Sequence, residues 1–316
     1  MSARVGIVVL NWNGGAQTVA AVESARTQLD REHFIVVVDN CSAQAERHAL
    51  RRRYDGEERI RLCFLAHNRG YTGGMNAGID AALADGADMV LLLTQDAALT
   101  PGALATMRAA ALADARVGIV GPKVVDAQCT SRTLSIGERV HVACLCLPRT
   151  LLRYRGARLG AYEVGGVLGC VMLLTRPCIE AIGTFDEELF MYYEEVDLCL
   201  RARKAGFKVV CAPQACVLHD GLRGYLAGFA PYSAELKARN LLHLMRRWAS
   251  PAQWLVLLPS YGLLLAGSMI LYGARGRFEV IGGLLRGVAA GVRGRGGLPG
   301  SWAAEPAVVA DQRSRS

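Results

Sequence analysis

Four short runs of aliphatic and β-branched residues punctuate the first hundred positions: Val5–Leu10, Phe34–Asp39, Ile60–Leu65 and Met89–Thr94. Each is too short for a helix and almost uniformly apolar, the pattern of a strand buried on both faces. Between them, Ala- and Arg-rich stretches near residues 16–29, 43–53, 75–84 and 101–113 read as helices. Pro101 behind Thr100 reads as a first-turn proline following an N-cap. This alternation predicts an α/β chain with a parallel, doubly wound sheet and right-handed crossovers. In such sheets ligands bind beyond the carboxyl ends of the strands. Polar residues gather there: Asn11 and Asn13, Asp39 and Asn40, His67 to Tyr71, and Gln95 with Asp96.

The pattern is irregular from about 114 to 165 and supports no close assignment. Gly169–Arg176 reads as a further strand, and a helix is predicted from about Tyr193 to Lys204, with Gly206 near its end. Asp197 and Arg201, four apart, read as a surface ion pair on it. A short strand over Lys208–Pro213 leads to a loop holding His219. The character then changes, because Ala249–Ala274 contains no charged residue. About 20 apolar residues suffice to cross a bilayer. Pro259, Gly262 and Gly267 interrupt this run, and Arg246, Arg247, Arg275 and Arg277 flank it. A single span would carry Arg286, Arg293 and Arg295 across, against the positive-inside bias. An interfacial or re-entrant helical pair is therefore favoured over a span or over helices packed on a soluble domain. The expected organisation is a catalytic domain over 1–245, a membrane-associated helical segment over 246–296 and a disordered tail over 297–316.

Composition narrows the class. Of 316 residues 52% are hydrophobic but only 7% aromatic, which suits a sheet packed with Val, Leu and Ala. The net charge of +8 favours anionic partners. Nucleic acid is not expected, since no aromatic-basic platform accompanies that charge. Most of the ten cysteines lie in apolar strings without any CxxC pair, and Cys144 and Cys146 are too isolated to argue for zinc. A reducing compartment follows. The N-terminal apolar run is too short for a signal peptide, so a cytoplasmic location is expected.

Single motifs are ambiguous. Asn68–Leu83 is Gly-rich ahead of a helix, yet it matches neither the dinucleotide nor the P-loop spacing. Asp39 and Asn40 suit a ligand contact or an ordinary turn with Ser42 as N-cap. Glu194, Glu195 and Asp197 suit the helix dipole, or a carboxylate that takes a proton from a substrate hydroxyl. His219 alone is an ordinary structural histidine or a metal ligand.

Five segments in order change that balance: VVLNWNG (Val8–Gly14), VVVDNCS (Val36–Ser42), NRGYTGGMNAGI (Asn68–Ile79), LLLTQDA (Leu91–Ala97) and the block Gly183–Gly221. Together they resemble the inverting family 2 glycosyltransferases of the GT-A fold, in the bacterial rhamnosyltransferase-like and galactofuranosyltransferase-like branch. The resemblance covers about residues 4–245. It implies a Rossmann-like, mostly parallel sheet and a nucleoside-diphosphate sugar donor, dTDP- or UDP-linked, with rhamnose among the candidate sugars. It implies that Asn11, Asn13 and Asp39 serve the base and ribose, with Asn40 a further substrate-binding residue, and that Asn68, Gly70 and Tyr71 line the nucleotide, with the substrate-binding Asn76 in the helix start behind them. The segment that binds ribose and a divalent metal falls on Thr94, Gln95 and Asp96, and the second ligand of the Mg²⁺ or Mn²⁺ falls on His219. The acid pair supplying the catalytic base falls on Glu194 and Glu195.

Two departures stand out. The acid pair is Glu-Glu where the family has Glu-Asp, and Thr94 replaces a common Asp or Asn. They leave room for an alternative, a non-catalytic nucleotide-sugar-binding or scaffold protein with a decayed site. A nucleotidyltransferase would need a basic residue in its N-terminal Gly-rich loop, which LNWNGGAQT lacks. The apolar segment implies a glycan or polyprenyl-linked acceptor of cell-wall or surface polysaccharide. It also implies a peripheral position at the inner face of the cell membrane.

Overall fold

The computed structural model describes residues 3–28, 33–142, 147, 149–151, 160–220, 230–300 and 302. The Cys144–Cys146 pair and most of the expected tail lie outside them. Two compact units share the chain. The first comprises Met1–Val140, Pro148–Asp186 and Glu194–Leu222; the second comprises His141–Leu147, Glu187–Tyr193 and Arg223–Ser316.

The first unit opens as the hydrophobic pattern predicts: β1 (Val5–Asn11), α1 (Ala16–Arg26), β2 (Phe34–Asp39), α2 (Gln44–Tyr54), β3 (Ile60–Phe64), α3 (Gly70–Ala84) and β4 (Met89–Thr94). It continues through β5 (Ala97–Leu99), α4 (Ala103–Leu112), β6 (Val117–Asp126), β7 (Thr133–Ser135), β8 (Glu138–Arg139), β9 (Arg149–Thr150), β10 (Tyr162–Glu163), β11 (Val171–Thr175), α5 (Arg176–Ile182), α6 (Glu194–Lys204) and β12 (Lys208–His219). The main sheet has the order β10-β12-β6-β11-β4-β1-β2-β3, with β5 paired to β12 and β7 to β6. Strands β4, β1, β2 and β3 are mutually parallel, whereas β11 runs antiparallel to both β4 and β6. That reversal brings the start of β11 to the carboxyl end of β4, where the Thr94 N–H donates to the Cys170 carbonyl at 3.0 Å. The sheet is thus mixed, mostly parallel, and its functional edge gains a segment that a fully parallel sheet would lack.

Alternate strand residues point to opposite faces. Ile7, Val9, Ile35, Val37, Leu91 and Leu93 meet Val22 of α1 and Leu104 and Met107 of α4. Val8, Val36, Val38 and Leu92 meet Met75 and Ile79 of α3 and Leu198 of α6 on the other face. Close approach explains the glycines of α3. A Cβ at Gly78 would lie 2.2 Å from Val8 Cγ1, and one at Gly74 2.5 Å from Leu10 Cδ1. Packing of helix on strand, rather than a phosphate cradle, accounts for these two positions.

Several local expectations are corrected. Thr100 does not cap a helix: its hydroxyl donates to the Cys216 carbonyl, Pro101 and Gly102 form a turn with Gly102 at φ 77°, and α4 starts at Ala103. Asp197 and Arg201 are not a surface pair. Asp197 is fully buried, its carboxylate takes the Arg201 Nε–H at 2.7 Å, and Arg201 also donates to the Ile182 and Thr184 carbonyls. They lock α6 onto the segment before it. The short strand expected at Lys208–Pro213 runs on to His219, which is a strand residue rather than a loop residue. The eight cysteines described are all free thiols.

In the second unit, α7 (Pro231–Trp248), α8 (Pro251–Ala274) and α9 (Phe278–Val292) follow one another. Gly283, Gly287 and Gly291 form a seam one turn apart on α9; a Cβ at Gly287 would lie 2.2 Å from the Glu235 carbonyl oxygen of α7. Helix α8 starts at a capping box in which Ser250 and Gln253 satisfy each other's backbone N–H groups. It then continues unbroken through Pro259, so the predicted interruption does not occur. It is long and apolar enough to cross a membrane, with 11% of its most apolar window buried. Leu255, Leu263 and Ile270 are 80%, 74% and 73% exposed.

The same unit holds the segment that runs into Glu194. Phe190, Tyr192 and Tyr193 take left-handed φ values of 61°, 77° and 70°, each costing on the order of 1–3 kcal/mol. Fixed partners offset that cost. The buried Asn240 amide of α7 reaches the Leu189, Met191 and Tyr192 carbonyls at 2.8–2.9 Å, and Arg239 donates to the Glu188 and Leu189 carbonyls at 3.0 Å.

Candidate active site

Parallel pairing sets Asn11 level with Asp39, and Leu10 level with Thr94, so three strand ends coincide at one edge. Asn11 is fully buried there. Its amide donates to Asp39 Oδ1 at 2.8 Å and the Ser42 hydroxyl at 3.0 Å, while its oxygen accepts from the Gly14 N–H and the Thr18 hydroxyl. Those four bonds use its full capacity. Asp39 also accepts from the Ser42 N–H and lies 3.3 Å from Arg47. Ser42 is not the N-cap of α2, where Ala43 stands; its hydroxyl accepts from the Asn13 N–H, and the Asn13 oxygen accepts from the Ala43 N–H.

A second clasp joins Asn40, whose amide donates to Asn68 Oδ1 and the Gly70 carbonyl and whose oxygen accepts from the Arg69 N–H. Gln95 grips the Trp12 backbone, accepting from its N–H at 2.7 Å and donating to its carbonyl at 3.3 Å. The structure therefore brings together the predicted residues Asn11, Asn13, Asp39, Asn40, Asn68, Gly70 and Gln95, mostly as a hydrogen-bonded frame. Asn76 stands apart: its amide pairs with both the N–H and the carbonyl of Phe185 at 2.9 Å.

Asp96 occupies the turn between β4 and β5. Since β5 pairs with β12, His219 sits level with Ala97, and its Nε2 comes 3.4 Å from Asp96 Oδ2. The Thr94 hydroxyl donates to Asp96 Oδ1 at 2.6 Å, and the Asp220 N–H donates to the Asp96 carbonyl. Burial pushes the Asp96 carboxyl upward, but the His219 ring and the Thr94 hydroxyl outweigh it and hold the group below the ordinary carboxylate value. Thr94 thus orients and keeps ionised the carboxylate rather than replacing one. A carboxylate oxygen and an imidazole nitrogen suit a divalent ion of the Mg²⁺ or Mn²⁺ type. Neighbouring ligands on an octahedral ion with ~2.1 Å bonds lie about 3 Å apart, close to the separation seen here.

Facing groups come from α3, the 165–170 segment and α6. The Tyr71 hydroxyl donates to the Gly169 carbonyl at 2.6 Å, and its ring meets Phe185 edge-on at 5.5 Å. A Cβ at Gly169 would lie 3.5 Å from Glu195 Cβ, 3.6 Å from the Tyr71 hydroxyl and 3.8 Å from Glu194 Oε1. Burial first, then the charges of Glu194 and Glu195, raises the Tyr71 hydroxyl well above its ordinary value, so it remains a donor. Glu194 is buried and Glu195 half-buried at the start of α6. Burial pushes the Glu195 carboxyl up to about 7, against a backbone hydrogen bond that pulls it down. A carboxylate that titrates near neutrality is matched to general-base work.

One carboxyl of this neighbourhood escapes the sequence. Glu138, in the irregular stretch between 114 and 165, is 2% exposed, and burial, then the charge of Glu195, pushes it up to about 8. Nothing in SIGERV distinguishes it from a surface glutamate; only its burial does.

The model of a family described as glycosyltransferase like family 2 matches residues 3–249. A Mycobacterium tuberculosis protein named N-acetylglucosaminyl-diphospho-decaprenol L-rhamnosyltransferase is 28% identical over 78% of this chain and 87% of its own. The dTDP-rhamnosyl transferase RfbF of Shigella flexneri is 22% identical over 69% and 70%. Among solved structures, a Pyrobaculum calidifontis mannosyltransferase in complex with GDP-Man and Mn²⁺ superposes with a TM-score of 0.59 over 92% of this chain and 88% of that one, at 17% identity. The fold is GT-A.

Proposed function

The chain belongs to the family 2 glycosyltransferases, and from that premise we propose that it is an inverting transferase of cell-wall or surface polysaccharide synthesis. The donor is a dTDP- or UDP-linked sugar, rhamnose first, and the acceptor a glycan or polyprenyl-linked intermediate; the names of the mycobacterial and Shigella relatives support this. One observation carries the reading. At a single strand edge an ionised Asp96 pairs with His219, and a glutamate titrating near 7 stands beside the Tyr71–Gly169 contact.

Glu195 takes the proton of the acceptor hydroxyl as that oxygen attacks the anomeric carbon and the nucleoside diphosphate leaves from the opposite face. The Asn11–Asp39–Ser42 frame and the Asn40–Asn68 clasp hold the strand ends against which the nucleoside lies. Preorganised contacts of this kind lower the cost of orienting the reactants. Tyr71 fixes Gly169, which packs against the start of α6 where Glu194 and Glu195 stand. Asp96 and His219 would hold Mg²⁺ or Mn²⁺, whose chemistry when bound is to neutralise charge on the diphosphate.

Residues 1–245 carry the transfer in this reading, and 246–296 hold the enzyme at the cytoplasmic face of the cell membrane. Exposed Leu255, Leu263 and Ile270 of α8 support the second part, as do the arginines at both ends of that helix. The deciding experiment incubates the full chain with a panel of dTDP-, UDP- and GDP-sugars, with and without EDTA, and measures nucleotide release. One donor class should dominate, and EDTA should suppress release. Absence of release from every donor under Mg²⁺ and Mn²⁺ would sink the transferase reading, and full release in EDTA would remove the metal.

A further inference from the structure

Glu138 lies on the two-residue strand β8, paired to β9. Its backbone is tied to the 165–170 segment: the Glu138 N–H donates to the Gly166 carbonyl at 2.9 Å, and the Gly165 N–H donates to the Glu138 carbonyl at 2.8 Å. The side chain turns inward. Oε1 accepts a 3.4 Å bond from the Thr150 hydroxyl, while Oε2 is buried with no hydrogen-bond partner among the described residues. A Cβ at Gly166 would lie 3.8 Å from both Oε2 and the Cys199 sulfur. Cys199 is fully buried and one helical turn from Glu195 on α6. Glu138 Oε2 and the Cys199 sulfur thus flank the same point beside Gly166, which brings the Glu138 carboxyl near the α6 face that carries Glu195.

A buried carboxyl in an apolar niche, with one oxygen unmatched and the charge of Glu195 acting on it, resists ionising once that neighbour has done so. We propose that Glu138 is a positioning residue for Glu195, a carboxylic acid kept neutral against α6 so that the pair carries one negative charge while Glu195 acts as base. This rests on Glu195 being the base.

The thiols and the phenol around the pair keep their protons across this range. Cys199 on α6 and Cys170 ahead of β11 are pushed far above neutrality by burial, and Tyr71 on α3 is raised as well. Arg201 of α6 is engaged by Asp197, and Arg203 donates to the Val140 carbonyl at 3.3 Å. Glu194 is the remaining carboxylate of the first turn. The pair loses its protons in two macroscopic steps, at about 7 and about 8. The second step adds a buried negative charge in a site built for a diphosphate donor, so it lowers turnover.

The test is the pH profile of nucleotide release for the wild type, Glu138→Gln and Glu195→Gln, all as full chains. The wild type should rise through about 7 and fall above about 8. Glu138→Gln should keep the rise and lose the fall, making its activity ratio between pH 9 and pH 7 roughly tenfold larger than that of the wild type. An alkaline fall unchanged in Glu138→Gln overturns the proposal while leaving Glu195 as base. Turnover by Glu195→Gln at the wild-type level removes the base, and the proposal with it. If Glu138→Gln does not fold, infrared spectroscopy of the wild type still decides. A protonated carboxylic acid C=O band persisting at pH 7.5 and vanishing above pH 8–9 is expected; no such band at pH 7.5 refutes the neutral Glu138.

Discussion

Replacing Glu138 by Gln exchanges a titrating carboxyl for a neutral group of the same shape at a position that is 2% exposed. The folded chain holds the Glu138 proton up to about 8, whereas an unfolded glutamate releases it near 4.5. Between those two values the native state binds one more proton than the unfolded state, so stability falls as pH rises. At about 1.4 kcal/mol per pH unit, the full interval is worth on the order of 5 kcal/mol. Glutamine avoids that loss but brings an N–H₂ group to the place where Oε2 finds no partner, which costs about 1–3 kcal/mol. Glu138→Gln should therefore fall about 1–3 kcal/mol below the wild type in stability at pH 4. At pH 8 it should exceed the wild type by roughly 2–4 kcal/mol. Urea midpoints at pH 4, 6 and 8, in the same mild detergent, measure this directly. The crossing of the two curves is the diagnostic. A constant offset between variant and wild type across that range would mean that Glu138 ionises as an ordinary glutamate, and the argument from its burial would be wrong.

Glu195→Gln should lower kcat by at least about a hundredfold while leaving donor Kd within about twofold, as measured by nucleotide release and calorimetry. In the wild type, activity should drop about tenfold per pH unit on the acid side of 7, because only the ionised base works. Asp96→Asn and His219→Ala should each raise the Mn²⁺ concentration needed for half-maximal activity by at least about tenfold, and excess metal should restore part of the Asp96→Asn activity. Arg201→Ala strands the fully buried Asp197 carboxylate and the Ile182 and Thr184 carbonyls, so a loss of about 3–5 kcal/mol in unfolding free energy is expected.

The sequence discloses most where burial and chemistry share one pattern. Strands β1, β2 and β4 are legible because they are buried on both faces, so their apolar runs end abruptly at the polar edge where Asn11, Asp39 and Asp96 stand. What those side chains do there is another matter. Asn11 and Asn40 spend their hydrogen bonds on the frame, which only the meeting of segments 28–31 residues apart could reveal. His219 becomes informative through register, because β5 pairs with β12 and lays Ala97 beside it. The antiparallel β11 was hidden, since an apolar run carries no direction, and with it went the approach of Gly169 and Cys170 to the site. Glu138 was hidden most completely. Its two-residue strand has no period to read, and its chemistry comes wholly from non-local neighbours: Gly166 without a side chain, Cys199 on α6 and the carboxyl one turn away.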